Sequence, residues 1–376
     1  MRVAIVTQFF YPVKGGVENH CFSLAKKLFE KGIDVEVHTS TDTLTEKNVL
    51  KEYELINDIK VFRHRKFWRF VPSNYDIVHL HNFNVFPHAV IFLSVLIRRI
   101  LRKVLKSVNA PKLIITPHGG YTPWWDEFSY VKKLFKKCYH KTIGKLFLNY
   151  VVDVIIAVNE WEREKLIEEG IEKNKIIIVP NGVEDLAYEL PFQKERDLEK
   201  YKPYILFLGR ISKIKNLDFV IKCLKNVKNI NLMIVGPFHE PEYYNVLIGL
   251  AEKQKVKERI IFYGEAYGKE KYRLIDNTLA LILLSHNETD PIVLKEAMAR
   301  GKPVIVSNSS VLPYIVKNLE NGFIVANEEQ FIDAINNLVN NKELVKKIEK
   351  NNKNKSLEWR WQNIVDKVLE AYGVTK

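Results

Sequence analysis

Short runs of consecutive apolar, β-branched residues alternate with longer amphipathic stretches along the whole chain. That alternation predicts parallel sheets with helices on both faces. In the first half the strand candidates are residues 2–7, 34–39, 59–64, 76–80, 112–116, 153–158 and 175–179, and their Val and Ile content suits strands buried on both sides. Between the first two, Val17, Cys21, Leu24, Ala25 and Leu28 share one stripe of a helix over 17–31, with Gly32 as its C-terminal stop. A second series of strands is expected at 204–208, 231–235, 259–263, 279–284, 303–307 and 323–325, with helices between them. The tail over 358–372 reads as a last amphipathic helix with Trp361, Ile364, Val365, Val368 and Leu369 facing inward.

A length of 376 residues fits two or three domains of about 150 residues each. Pro180-Asn181-Gly182 and the charged segment 193–202 mark a linker between the two strand series. The expected organisation is a first domain over 1–180, a linker over 181–202, a second domain over 203–355, and a closing helix over 356–376 that packs back on the first domain. Ligands of open parallel sheets sit beyond the C-terminal ends of the strands, so the cleft between two such domains is the expected site.

Three loops carry candidate chemistry. The first, Gln8 to Glu18, leads from a strand into a helix through Gly15 and Gly16. Adjacent glycines let backbone N–H groups approach an anion at a helix N-terminus, although a tight turn without ligand fits this segment equally. No G-x-G-x-x-G follows the first strand, which argues against a dinucleotide enzyme. In the second loop, Gly209 to Asn216, Arg210 and Lys215 stand where two cations could neutralise a diphosphate leaving group; a solvated basic loop is the alternative. The third runs from Ser285 to Ile305. There Asp290 suits an N-cap and Pro291 the first helical position, with Gly301 as the stop. Glu288 then lies in a strand-end loop and Glu296 just over one turn into the helix, where both could accept hydrogen bonds from hydroxyls of an extended ligand.

The Glu288-x7-Glu296 pair, followed by Ala297-Met298-Ala299, Gly301 and Pro303-Val304-Ile305, resembles the signature of the family 4 retaining glycosyltransferases (glycosyl transferases group 1), which have the GT-B fold. The resemblance extends over nearly the whole chain, through Tyr11-Pro12, Gly15-Gly16-Val17-Glu18, Asp76 to His81, Thr116-Pro117-His118-Gly119, Val179 to Val183, Gly209-Arg210, Lys215 and Trp361. It implies an α/β protein of two Rossmann-like, doubly wound domains facing each other across a cleft, and transfer of a sugar from a nucleoside-diphosphate sugar to a hydroxyl acceptor. By the same resemblance Gly15 and Gly16 contact the donor phosphate or sugar, His118 stands beside the anomeric carbon, and Arg210 and Lys215 grip the diphosphate. Glu288 binds donor hydroxyls and Glu296 the ribose, with Asp290, Ile292 and Val293 completing the donor-binding set. No cofactor or metal is implied, because the cationic side chains take the metal's place. Many members carry Gly-Phe-Gly after the first Glu; here Thr289-Asp290-Pro291 stands there, and Pro291 has no N–H to donate. Outside the resemblance, His118 fits an ordinary loop residue, and His79 and His81 fit strand packing rather than a metal pair.

A net charge of +13 points to an anionic partner: nucleotide phosphates, a membrane surface or nucleic acid. Nucleic acid is disfavoured, because no helix-turn-helix, zinc-finger or aromatic RNA-binding motif accompanies the charge. Lys132, Lys133, Lys136, Lys137, Lys141 and Lys145 recur at helical spacing opposite Leu134, Phe135, Cys138 and Leu146, and Arg98, Arg99, Arg102, Lys103 and Lys106 form a second basic cluster. Such helices either lie on an anionic bilayer or present a solvated face. Since the resemblance makes the first domain the acceptor half, a lipid-linked saccharide or cell-surface polysaccharide precursor is an expected acceptor class. Cys21, Cys138 and Cys223 form no C-x-x-C pair and read as buried thiols in a reducing compartment. The N-terminus lacks a secretory pattern, and the longest apolar stretch, 86–97, is interrupted by Pro87 and His88. The expected location is the cytoplasm, with peripheral contact at the inner face of the membrane through the basic helices. Two alternatives share this architecture, a sugar-nucleotide epimerase and a non-catalytic sugar-nucleotide-binding subunit of a transferase complex.

Overall fold

Alternate residues of the first strand, β1 (Arg2–Val6), point to opposite sides: Val3 and Ile5 enter one apolar cluster, whereas Ala4 and Val6 enter another. Both faces are therefore covered, as a Val- and Ile-rich strand requires. The computed structural model describes every residue except 66–69, 106–108, 124, 126–127, 192–195, 239 and 375–376, so Lys106 and residues 192–195 of the expected linker lie outside the described residues. The sheet built on β1 also holds β2 (Asp34–Ser40), β3 (Tyr53–Ile56), β4 (Ile59–His64), β5 (Ile77–His81), β6 (Lys112–Thr116), β7 (Val154–Ala157) and β8 (Ile176–Ile178). Its order is β3-β4-β2-β1-β5-β6-β7-β8, and only the β3–β4 pair is antiparallel. Its helices are α1 (Gly16–Glu30), α2 (His88–Val104), α3 (Tyr130–Tyr139), α4 (Lys145–Tyr150) and α5 (Glu160–Glu168), with one π turn, His140–Gly144, joining α3 to α4.

The second sheet runs β11-β10-β9-β12-β13-β14, all parallel, from β9 (Tyr204–Leu208), β10 (Asn231–Val235), β11 (Ile260–Gly264), β12 (Ala280–Leu283), β13 (Val304–Ser307) and β14 (Phe323–Val325). Around it lie α6 (Leu217–Leu224), α7 (Pro241–Lys253), α8 (Gly268–Asn277), α9 (Ile292–Ala299), α10 (Leu312–Ile315), α11 (Glu328–Asn340) and α12 (Lys342–Ser356). The last helix, α13 (Trp361–Tyr372), leaves this unit and packs with α1 in the first core. Contacts divide the chain into Met1–Gly182 with Trp361–Lys376, and Val183–Arg360. Each sheet reverses strand order once, at β1 and at β9, and ligands of open sheets bind outside the strand ends at such a point.

Four features depart from the sequence reading. The pairing of β3 with β4 was not expected; they form a hairpin through Asn57 and Asp58, which both have positive φ, as a two-residue turn of the primed type needs. The expected linker is part of the second unit from Val183 onward, because the Arg300 guanidinium donates to the carbonyls of Ala187 and Glu189 and pairs with Asp276. The tail is broken at Arg360, with a 3-10 turn at Leu357–Trp359 preceding α13. Cys138 is exposed rather than buried, since only Tyr139 of α3 reaches the core. Cys21 and Cys223 are buried.

Candidate functional site

In the second unit the chain leaves β9 through Gly209 at φ +151, and Gly236 follows β10 at φ +140. A Cβ on Gly236 would lie 2.0 Å from the Gly209 carbonyl oxygen, so the two strand ends approach as only glycine allows. Arg210 follows at once, exposed and without an ion pair among the described residues. The loop then turns through Lys213–Lys215 to Asn216, a left-handed residue before α6 whose amide donates to the Leu284 carbonyl at 3.2 Å. With the His286 N–H donating to Ile214 O at 2.8 Å, this ties the β9 loop to the loop after β12.

Two of the expected site residues meet across that tie. Lys215 Nζ stands 2.5 Å from Glu288 Oε1, and both side chains are mostly buried. The Ser285 hydroxyl donates to the same oxygen at 2.6 Å, and the Glu288 N–H donates to Ser310 Oγ at 2.9 Å. A fixed cation and a fixed carboxylate thus stand side by side at the strand ends flanking the switch point. Such a pair can serve the charged and hydroxylated ends of one ligand without reorganising.

The next segment requires a correction. Pro291, not Asp290, occupies the N-cap of α9 and makes no side-chain cap bond, and Ile292 and Val293 are the first helical residues, half-buried. The Asp290 carboxylate instead lies 2.6 Å from Lys295 Nζ, both side chains 2% exposed. A buried ammonium needs a counter-charge more than a helix needs a cap: an unpaired buried ion costs several kcal/mol, a missing cap about 1 kcal/mol. Burial lowers the Lys295 pKa and Asp290 pulls it back.

Glu296 is held separately, by Lys271 Nζ at 2.7 Å and the Tyr272 hydroxyl at 3.1 Å, and Glu184 accepts from the same two groups at 3.4 and 3.2 Å. Burial raises the Glu296 pKa, and Lys271 opposes the rise. Lys271, Tyr272 and Glu184 were not anticipated. In sequence they look like ordinary positions of an amphipathic helix and a linker, and only their meeting at Glu296 distinguishes them.

In the first unit, Gly15 precedes α1 in extended conformation and Gly16 opens it, with the Glu18 carboxylate of the first turn lying back against Gly15. Those N–H groups follow β1 at the switch point of the sheet, a position suited to an anion. His118, just past β6, has φ +50, a left-handed conformation that costs a residue with a Cβ about 1–2 kcal/mol. Glu162, a buried residue of α5, fixes the loop beside it by accepting from the N–H groups of Gly119 at 2.5 Å and Val158 at 2.8 Å. His118 Nε2 lies 3.0 Å from His81 Nδ1. Burial, followed by neighbouring imidazoles, holds both rings well below the usual histidine pKa. His79 joins strand and tail instead, between Tyr372 Oη and Thr116 Oγ1, in keeping with the packing role read from the sequence.

The family model for glycosyltransferase family 4 matches residues 14–185, and that for glycosyl transferases group 1 matches residues 191–355. The chain belongs to the family 4 glycosyltransferases. This glycosyltransferase is 24% identical to the alpha-monoglucosyldiacylglycerol synthase of Streptococcus pneumoniae over 355 residues, 89% of this chain and 77% of the relative. Sucrose-phosphate synthase from Thermosynechococcus elongatus superposes with a TM-score of 0.77 at 17% identity, over 99% of this chain and 98% of the other. Anabaena HepE in complex with UDP-glucose superposes with a TM-score of 0.75, also at 17% identity, over 99% of both chains. The fold of this glycosyltransferase is GT-B, as the sequence reading expected.

Basic, apolar-faced helices complete the first unit. On α2, Val90, Leu93, Ile97, Ile100, Leu101 and Val104 are exposed; along α3 and α4, Val131, Leu134, Phe135 and Leu146 are exposed too. Phe92 of α2 touches Phe147 of α4, with ring centroids 4.9 Å apart, so the two segments are neighbours. Within the basic clusters Arg99 is committed to Asp153 and the Val151 carbonyl, whereas Arg102, Lys103, Lys132 and Lys141 are exposed. Among the described residues no helix is long and apolar enough to cross a membrane.

Proposed function

We propose that this glycosyltransferase transfers a hexosyl group from a nucleoside-diphosphate sugar to a hydroxyl acceptor with retention of anomeric configuration. The observation that carries the reading is the Lys215–Glu288 pair at the switch point of the second sheet, with Arg210 exposed on the same loop as Lys215. In this reading Arg210 and Lys215 neutralise the diphosphate as it departs, with no metal required. Glu288, assisted by Ser285, orients sugar hydroxyls, and Glu296 receives the ribose. Gly15 and Gly16 offer N–H groups from the first unit, and His118 lines the acceptor side. The acceptor hydroxyl attacks on the face the leaving group vacates; its oxygen bonds to the anomeric carbon, the C–O bond to the diphosphate breaks, and a phosphate oxygen takes the proton. The protein contributes position and charge. A UDP-sugar is the first donor to test, because HepE, of the same fold, was crystallised with UDP-glucose. Proton NMR of the product tests the reaction: the new glycosidic bond keeps the donor's anomeric configuration, and an inverted product excludes this mechanism.

For the acceptor we propose a lipid-linked hydroxyl presented at an anionic membrane. Exposed apolar side chains flanked by lysine and arginine on neighbouring helices fit the interface of a bilayer, and the similar pneumococcal protein is named for a glycolipid product. Sedimentation with phosphatidylglycerol vesicles should carry the protein into the pellet at low salt and release part of it at high salt. Vesicles of phosphatidylcholine alone should bind less. Protein that stays in the supernatant under all three conditions removes the membrane from the account.

A further inference from the structure

We propose that His20, His81 and His118 form a binding site for a borderline divalent transition cation such as Zn2+, and that its occupation withdraws His118 from sugar transfer. The first half stands on geometry alone; the second rests on the transferase reading given above. The three rings come from different elements: His20 from the second turn of α1, His81 from the last position of β5, and His118 from the loop after β6. Each offers a ring nitrogen, and the three atoms lie within 4.8 Å of one another. Zn–N bonds of about 2.0–2.1 Å at tetrahedral angles place ligand nitrogens about 3.3 Å apart. His81 Nδ1 and His118 Nε2, at 3.0 Å, are already near that spacing, so small side-chain rotations close the set.

The donor set fits such a cation in kind as well as in spacing. Metal ions bind the imidazole nitrogen, and three imidazoles from three elements present nitrogens to one another here. His81 turns Nδ1, the nitrogen on the His118 side, toward the trio, while its Nε2 is buried on the far side of the ring, so ligation would go through Nδ1. The trio includes no carboxylate and no thiolate, which favours Zn2+, Co2+, Ni2+ or Cu2+ over Mg2+ or Ca2+. Three protein ligands leave a fourth position for water. The competing explanation is aromatic packing, since the His20 ring also lies 5.3 Å from that of Trp361. Because His118 would be both ligand and acceptor-side residue, the cation inhibits rather than assists.

Co2+ titration of the full-length protein tests the site without relying on activity. One equivalent should produce the visible bands of tetrahedral cobalt, and Zn2+ should abolish them. His20→Gln and His81→Gln should each weaken Co2+ binding by at least about tenfold. Cys138→Ser should leave the bands unchanged, which separates the trio from the exposed thiol. The site is refuted if wild-type protein gives no bands, or if both glutamine variants, folded by circular dichroism, bind cobalt as wild type does. In the transfer assay Zn2+ should inhibit and EDTA restore the rate; bands without inhibition overturn the second half alone. A protein with no transferase activity under any condition but with intact cobalt bands would fail the transferase reading and leave the site standing.

Discussion

Arg210→Ala and Lys215→Ala are each expected to lower kcat by about 10²–10³, by analogy with losing one preorganised donor to a developing anion. The two variants differ in a way that separates chemistry from folding. Arg210 is exposed and makes no ion pair among the described residues, so its loss should change stability by no more than about 0.5 kcal/mol. Lys215 is tied to Glu288, so its removal also frees a mostly buried carboxylate that keeps only the Ser285 hydroxyl on that oxygen. A folded Arg210→Ala protein with much reduced turnover therefore reports on the leaving group rather than on packing. Steady-state kinetics beside thermal melts make the comparison. Unchanged kcat in both variants would remove these cations from the mechanism.

Steep acid unfolding of the first unit is the second expected result. Burial lowers His38 and His79 to about 3, and His88 and His140 to about 4, from an ordinary value of 6.5. All four lie in the Met1–Gly182 segment. Above pH 6.5 these rings are neutral whether the chain is folded or not, and they cost nothing. Below it the unfolded chain takes up protons that the folded chain refuses, so stability falls with pH until each folded-state pKa is reached. Each ring contributes about 1.4 kcal/mol per pH unit in that window, and four together approach the 5–15 kcal/mol of a whole protein within roughly one to two units. His81 and His118 add to the same trend. Circular dichroism and histidine NMR signals followed from pH 8 to pH 4 should show unfolding well above the pH at which carboxylates alone would protonate. Rings that titrate near pH 6.5 within a folded protein would contradict this.

The strands that organise the site were legible in the sequence because parallel strands buried on both faces leave unbroken apolar runs, as in Val154–Ala157 and Tyr204–Leu208. The edge strand Tyr53–Ile56 was not, since its half-exposed pattern resembles a loop and only Asn57-Asp58 marks the turn. Lys215 and Glu288 were singled out individually, but their pairing depends on backbone hydrogen bonds between the loops after β9 and β12. Asp290 was misread as a cap because capping rules are local, whereas its partner Lys295 is buried only through tertiary packing. The histidine trio was hidden for a related reason: its members sit on three elements far apart in the chain and meet only when the first sheet forms.

In the proposed mechanism Arg210 and Lys215 belong to a site for a nucleoside diphosphate. A thermal-shift panel of sugar nucleotides on wild type and on the Arg210→Ala/Lys215→Ala double variant tests this directly. One donor should stabilise wild type by about 2.7 kcal/mol at roughly 100 times its Kd, and the double variant should lose most of that gain at the same concentration. A donor that stabilises both proteins equally would contradict it.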